Sequence, residues 1–156
     1  MRQITVTRPA LALGVAGLAL ALSACSPITT DEPYAASDGI RAQVGDLEVL
    51  NLMIVSASKG AEGRLLGAAT SSSAEPDTLT IAAQDGSIDV PVTLGAGETV
   101  NFSGAEDEAI LIDDVPVAPG ANVLVTLMNS AGESVDVYVP VLDGTLAEYA
   151  DVVPSA

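Results

Sequence analysis

From about Gly45 to Leu142 the chain runs in short apolar stretches rich in valine, leucine, isoleucine and threonine. They are broken every few residues by glycine, proline, asparagine, aspartate or serine. That texture predicts an all-β domain. Strands are expected at about 47–55, 64–70, 78–83, 87–93, 98–103, 109–113, 122–128 and 133–142, and no long amphipathic helical period competes with them. The last is the clearest, because Val135, Val137, Val139 and Val141 share one face while Asp136 and Tyr138 take the other. Asp85-Gly86, Gly95-Ala96-Gly97, Pro119-Gly120 and Ala131-Gly132 suit tight turns between strands. Eight strands at this spacing predict a two-sheet sandwich over residues 45–142, with a tail at 143–156.

Val-Pro-Val occurs at 90–92, 115–117 and 139–141. Proline donates no backbone hydrogen bond, so each is expected on an edge, at a bulge or where a strand passes between sheets. An internal repeat of about 25 residues is the other reading of the three copies. Their flanks align poorly, however, and a valine-rich chain with nine prolines yields such matches readily.

The hydropathy pattern changes at the N-terminus. Arg2 and Arg8 precede an apolar run over residues 10–22 that no charge interrupts, and Leu22-Ser23-Ala24-Cys25 follows, ending in the chain's sole cysteine. A basic start, an apolar stretch and then small residues is the order of an export leader. The run falls short of the ~20 residues needed to span a bilayer as a helix. Residues 1–25 resemble the signal of a bacterial lipoprotein, in which the cysteine receives a diacylglyceryl group. That resemblance implies a signal peptide at 1–24, cleavage between Ala24 and Cys25, and lipidation of Cys25. Residues 25–44 start with Ser26-Pro27 and are polar and proline-punctuated, as a flexible tether is.

Without the leader, 132 of the 156 residues remain, enough for one domain with a real core. Three basic residues (Arg41, Lys59, Arg64) then face 21 acidic ones, a side-chain balance of −18. Such a surface repels phosphate backbones and anionic headgroups, which excludes nucleic acid as a partner and leaves membrane attachment to the acyl chains. One cysteine allows neither an internal disulfide nor a thiolate metal cluster.

The chain contains no histidine, so triads and most acid–base schemes lack their usual base. Gly95-x-Gly97 is a fragment of a dinucleotide fingerprint that a turn explains. Phe102 and three tyrosines give little aromatic platform for sugars or bases. The densest polar grouping is Glu106-Asp107-Glu108 with Asp113-Asp114 beyond a short strand. Two such clusters could offer oxygen ligands to Ca²⁺, but a four-residue strand separates them by roughly 13 Å, which favours a solvated acidic surface.

A second resemblance extends over roughly residues 60–142. Its pieces are Glu75-Pro76-Asp77-Thr78-Leu79-Thr80, then Leu94-Gly95-Ala96-Gly97-Glu98-Thr99-Val100-Asn101-Phe102, Ala109-Ile110-Leu111-Ile112, Pro119-Gly120-Ala121-Asn122-Val123-Leu124-Val125-Thr126-Leu127 and the valine-rich last strand. In order and spacing they resemble the PCu(A)C periplasmic copper chaperones and their actinobacterial lipoprotein relatives. The resemblance implies a cupredoxin-like β-sandwich. It also implies a Cu(I) site of histidines and methionines, whose His-x-Met pair aligns with Glu108 and Ile110 here. Neither is a soft donor. Met53 and Met128 are the methionines beyond the leader, and both fall in apolar strands where methionine usually fills core.

These features together lead to the expectation of a noncatalytic surface lipoprotein. It would be anchored on the extracytoplasmic face of the cell membrane, bind an envelope protein, and need neither cofactor nor metal. The alternative is a metal-handling protein related to the copper chaperones, with a lost or altered site.

Overall fold

A computed structural model describes residues 37–104 and 109–154. The leader, with Ala24 and Cys25, lies outside the described residues, as do Glu106, Asp107 and Glu108.

The architecture is an all-β, cupredoxin-like two-sheet sandwich. Among the described residues nine strands run in order β1 (Ile40–Val44), β2 (Leu47–Ser56), β3 (Gly63–Ser71), β4 (Asp77–Ala83), β5 (Asp89–Leu94), β6 (Thr99–Asn101), β7 (Leu111–Ile112), β8 (Asn122–Met128) and β9 (Ser134–Leu142). Eight of them fall where apolar alternation places strands. The ninth, β1, lies in residues 40–44, which the sequence reading assigned to the tether. Its five residues are too few to show a period, and they gain strand character from pairing with β2 across the Gly45-Asp46 turn.

The strand order is β5-β4-β8-β9-β2-β3-β6, with β1 also on β2 and β7 also on β3. One sheet is built on the long β2–β3 pair. β3 follows one edge of β2 from Leu47 to Ser56, while the other edge is shared: β1 pairs with its first part and β9 joins in parallel at Ile54 and Val55. The outer edge of β3 is divided likewise, β6 taking Ala68, Ala69 and Thr70 and β7 taking Gly63 and Arg64. The second sheet is the antiparallel set β5-β4-β8-β9.

The prolines occupy three places that tolerate a missing donor. Pro91 lies on β5, the edge of the second sheet. Pro116 is in the loop before β8, where the neighbouring Val115 anchors the chain by exchanging hydrogen bonds with Gly60 (2.9 Å) and Ala61 (3.1 Å). Pro140 is the last residue of β9 paired with β8, and the next, Val141, pairs with β2, so this proline marks the passage between sheets.

Between the sheets lies a core of Leu47, Val49, Leu52, Ile54, Leu65, Leu79, Ile81, Leu94, Val125, Leu127 and Phe102, the chain's single phenylalanine. β2 carries more than this core requires. Leu52, Met53, Ile54, Val55 and Ser56 are buried consecutively, so both faces of the strand are covered. Leu52 and Ile54 face the sandwich, and Met53 and Val55 face outward with Leu66 into a smaller cluster. The cover is the C-terminal segment. After β9 the chain turns into a four-residue helix, α1 (Ala147–Ala150), and lays Leu142, Tyr149, Val152 and Val153 over those three side chains. Tyr149 ties this strap to the start of the domain through its hydroxyl, which donates to Asp38 Oδ2 at 2.6 Å.

A bulge interrupts β2–β3 between Leu50 and Met53. Asn51 adopts φ 52°, and its Oδ1 accepts the Gly39 N–H at 2.9 Å. Opposite it Gly67 has φ 121°, and a Cβ there would stand 2.7 Å from the carbonyl oxygens of both Leu50 and Asn51. Glycine alone accepts that conformation and that approach.

Candidate functional site

The residues that the sequence offers as metal ligands do not converge. Met53 is enclosed under the strap, on the outward face of β2. Met128 is exposed at the far end of β8, paired with Thr80 and Ser134. β2 reaches β8 only through β9, at the Pro140–Asn122 end, which leaves the length of β8, roughly 20 Å, between the two sulfurs' strands. Ile110 is half-buried against the main core, and its carbonyl accepts the Leu65 N–H at 2.9 Å. Glu108 lies outside the described residues. Asp113 and Asp114 are exposed in the loop after β7. No group of three or more histidine, cysteine, aspartate or glutamate side chains comes together among the described residues as a metal would need.

Titration behaviour points to turns rather than chemistry. Asp77, Asp85 and Asp143 are each held below the usual carboxylate range, chiefly by hydroxyl donors from Ser130, Ser87 and Thr145 and then by the backbone N–H of the same residues. Asp85 and Asp143 cap their own loops. Asp77, at the start of β4, accepts from Ser130 Oγ (2.5 Å) and Ser130 N (3.0 Å), and so fastens the β8–β9 turn to the opposite hairpin. All three are solvated carboxylates, and Asp85 and Asp143, accepting from the residue two positions on, have the arrangement of an Asx turn.

The distinctive polar group is Arg64. Alternation along β3 points Gly63 and Leu65 into the sandwich, and Arg64 with Leu66 outward toward the strap. The side chain is only 6% exposed. Its Nη2 donates to the carbonyl of Gly104, in the loop that leaves the β3 edge between β6 and β7. Its Nε is buried with no acceptor among the described residues. The other arginine, Arg41, is exposed and paired with Glu48, Nε to Oε1 at 2.6 Å, the sole ion pair among the described residues. Arg64 lines a pocket of about 220 Å³ between the β3–β7 edge and the strap, whose walls include Glu62, Leu111, Asp151, Val152 and Val153. Sequence reasoning counted Arg64 only as one of three cations. The signal available was a charge set in the apolar strand Gly63-Arg64-Leu65-Leu66, where alternation gives it a covered face only if something lies over β3.

No family model matches the sequence, and no curated protein does. Solved structures do match. The apo PmoF2 PCuAC domain superposes with a TM-score of 0.51 at 13% identity, covering 69% of this chain and 98% of that one. The copper-bound PCuAC domain from PmoF2 gives 0.49 at 14% identity, over 67% and 98%. The fold is PCuAC-like. At such low identity the likeness extends to the fold alone. In this PCuAC-like sandwich, the described positions hold one enclosed and one exposed methionine, together with a buried guanidinium beside a pocket.

Proposed function

We propose that this chain is a noncatalytic binding module of the cell envelope, attached to the extracytoplasmic face of the membrane through a lipid on Cys25. The observation that supports the noncatalytic half is the distribution of reactive groups among the described residues of the PCuAC-like sandwich. Both methionines are placed by packing and pairing, and the shifted carboxylates serve turns. The anchored half rests on the pattern of residues 1–25. Among the described residues no helix is long and apolar enough to cross a membrane. The test is fractionation of cells expressing the parent or Cys25→Ser, followed by crosslinking and pull-down with the lipidated chain as bait. Cleaved, membrane-bound parent, soluble or unprocessed Cys25→Ser, and an envelope protein that crosslinks only to the anchored form are expected. A Cys25→Ser chain that is membrane-bound and uncleaved just as the parent is would sink the anchor.

The fold favours a second reading, a metal-handling protein related to the copper chaperones whose site has changed. Competition for Cu(I) against a chelator separates the two. The binding module does not compete, and Met53→Leu with Met128→Leu leaves its cellular role intact. A tight stoichiometric copper complex lost on those substitutions would restore the chaperone.

A further inference from the structure

We infer that the pocket beside Arg64 binds a small carboxylate that also carries an amine, namely an amino acid or the end of a short peptide. This deepens the binding-module reading and rests on it for the setting in which the ligand is met; the pocket itself is argued from its residues.

A guanidinium taken out of water is expensive unless charged or well-oriented acceptors replace the solvent. Among the described residues Arg64 has one backbone acceptor, Gly104 O, and its buried Nε proton is unmatched. Buried polar atoms left in this state are rare in folded proteins and call for a specific explanation, of which a bound ion or ligand beside them is one. Arginine's planar fork of donors matches a carboxylate better than any other small anion of single charge.

The other charged groups narrow the ligand. Glu62 and Asp151 line the same pocket, and neither forms an ion pair with Arg64. They place negative charge beside the cation, on a domain whose side-chain balance is already −18, which disfavours a dianion such as phosphate. A zwitterion resolves the arrangement, with its carboxylate against the guanidinium and its ammonium facing the two rim carboxylates. Leu111, Val152 and Val153 leave an apolar wall for a short side chain, and about 220 Å³ suits a peptide end and not a folded partner.

The experiment uses the whole chain without its leader, labelled with ¹⁵N, and follows the arginine Nε–H signals during titration with L-Ala-L-Ala, its C-terminal amide, its N-acetyl form, or inorganic phosphate. L-Ala-L-Ala is expected to shift the Arg64 signal saturably while Arg41 stays put. The amide should fail, and acetylation should weaken binding roughly tenfold, the scale of one charge-assisted hydrogen bond. Glu62→Gln and Asp151→Asn, both at exposed positions, should each weaken the dipeptide and leave the acetylated form unchanged. Arg64→Gln should abolish binding, and the amide and acetyl arms, run on the unaltered protein, decide the matter if that variant does not fold. Absence of a saturable shift at tens of millimolar, equal binding of the amide, or phosphate binding as tightly as the dipeptide would overturn the inference. So would binding that emerges only after Glu106→Gln, Asp107→Asn and Glu108→Gln, which would assign the guanidinium to the chain's own carboxylates. Any of these results, with Cys25-dependent attachment and envelope crosslinking intact, removes the pocket and leaves the module.

Discussion

Leu66→Ala should cost as much as a core truncation, although alternation along β3 turns Leu66 away from the sandwich. Leu65 is 1% exposed inside the main core, and Leu66 is 6% exposed beneath Tyr149, Val152 and Val153. Truncating a buried leucine to alanine costs 2–5 kcal/mol, and a small cluster that can partly collapse should fall near the lower end, ~2–3 kcal/mol. The same change on a solvent-facing position is worth ~0.5 kcal/mol or less. The strap is therefore testable by a cycle. In a chain ending after Leu142, Leu66 loses its cover and Leu66→Ala should cost only ~0.5–1 kcal/mol, giving a coupling energy of about 1.5–2 kcal/mol between strap and side chain. Urea unfolding followed by far-UV circular dichroism measures all four corners, with Leu65→Ala as the control that should cost the same in both backgrounds. A Leu66→Ala penalty equal in the full and shortened chains, or below ~0.5 kcal/mol in the full chain, would refute the two-sided burial of β3.

Tyr149 is pushed up to about 12 from 10.0, first by its hydrogen bond to Asp38 and then by burial. A pKa raised in the fold favours neutral tyrosine. The contribution is therefore complete below the unfolded value of 10.0 and is lost as pH rises through about 12, so tyrosinate absorbance should show one late-titrating group that Tyr149→Phe removes. For Asp77, lowered in the fold by Ser130, the sign is opposite: its stabilisation is present above the unfolded aspartate value and fades as pH falls through the lower folded one. Asp77→Ala should cost roughly 1 kcal/mol at neutral pH, discounted for solvent screening, and nothing in strong acid, measured by urea midpoints. Gly67→Ala should destabilise by ~3 kcal/mol or more, because a Cβ would stand 2.7 Å from two carbonyl oxygens at a positive φ; a thermal midpoint within a few degrees of the parent would contradict the bulge.

Much of the sandwich was legible because its strands declare themselves one face at a time. Val135, Val137, Val139 and Val141 show their period in the text, and Gly86, Gly97, Gly120 and Gly132 all sit at positive φ in the turns the sequence proposes. What stayed hidden depends on neighbours. β1 is a strand because β2 offers it an edge, and the strap is ordered because Met53, Val55 and Leu66 require a cover that no local pattern near Tyr149 announces. A hint existed in Leu52-Met53-Ile54-Val55, whose four consecutive apolar residues are one face too many for a strand with a wet side. The site was less legible still. Glu108 and Ile110 drew attention through resemblance, whereas Arg64 gains its significance only when the strap closes over β3 and removes water from its guanidinium.

The meeting of β9 with β2 also governs when this domain can exist at all. Ile54 pairs with Val141 and Val55 with Leu142, so the first long strand waits for the last one to complete its edge. Contacts so distant in sequence make for slow closure, with the loop entropy spent before the reward arrives. A chain emerging from its N-terminus presents β2 and β3, the most buried pair in the sandwich, long before β8 and β9 are available. Until those arrive, the second sheet lacks two of its four strands. An emerging chain thus depends on being held unfolded until its final residues are free, and any pause before Asn122 leaves open β edges exposed to aggregation.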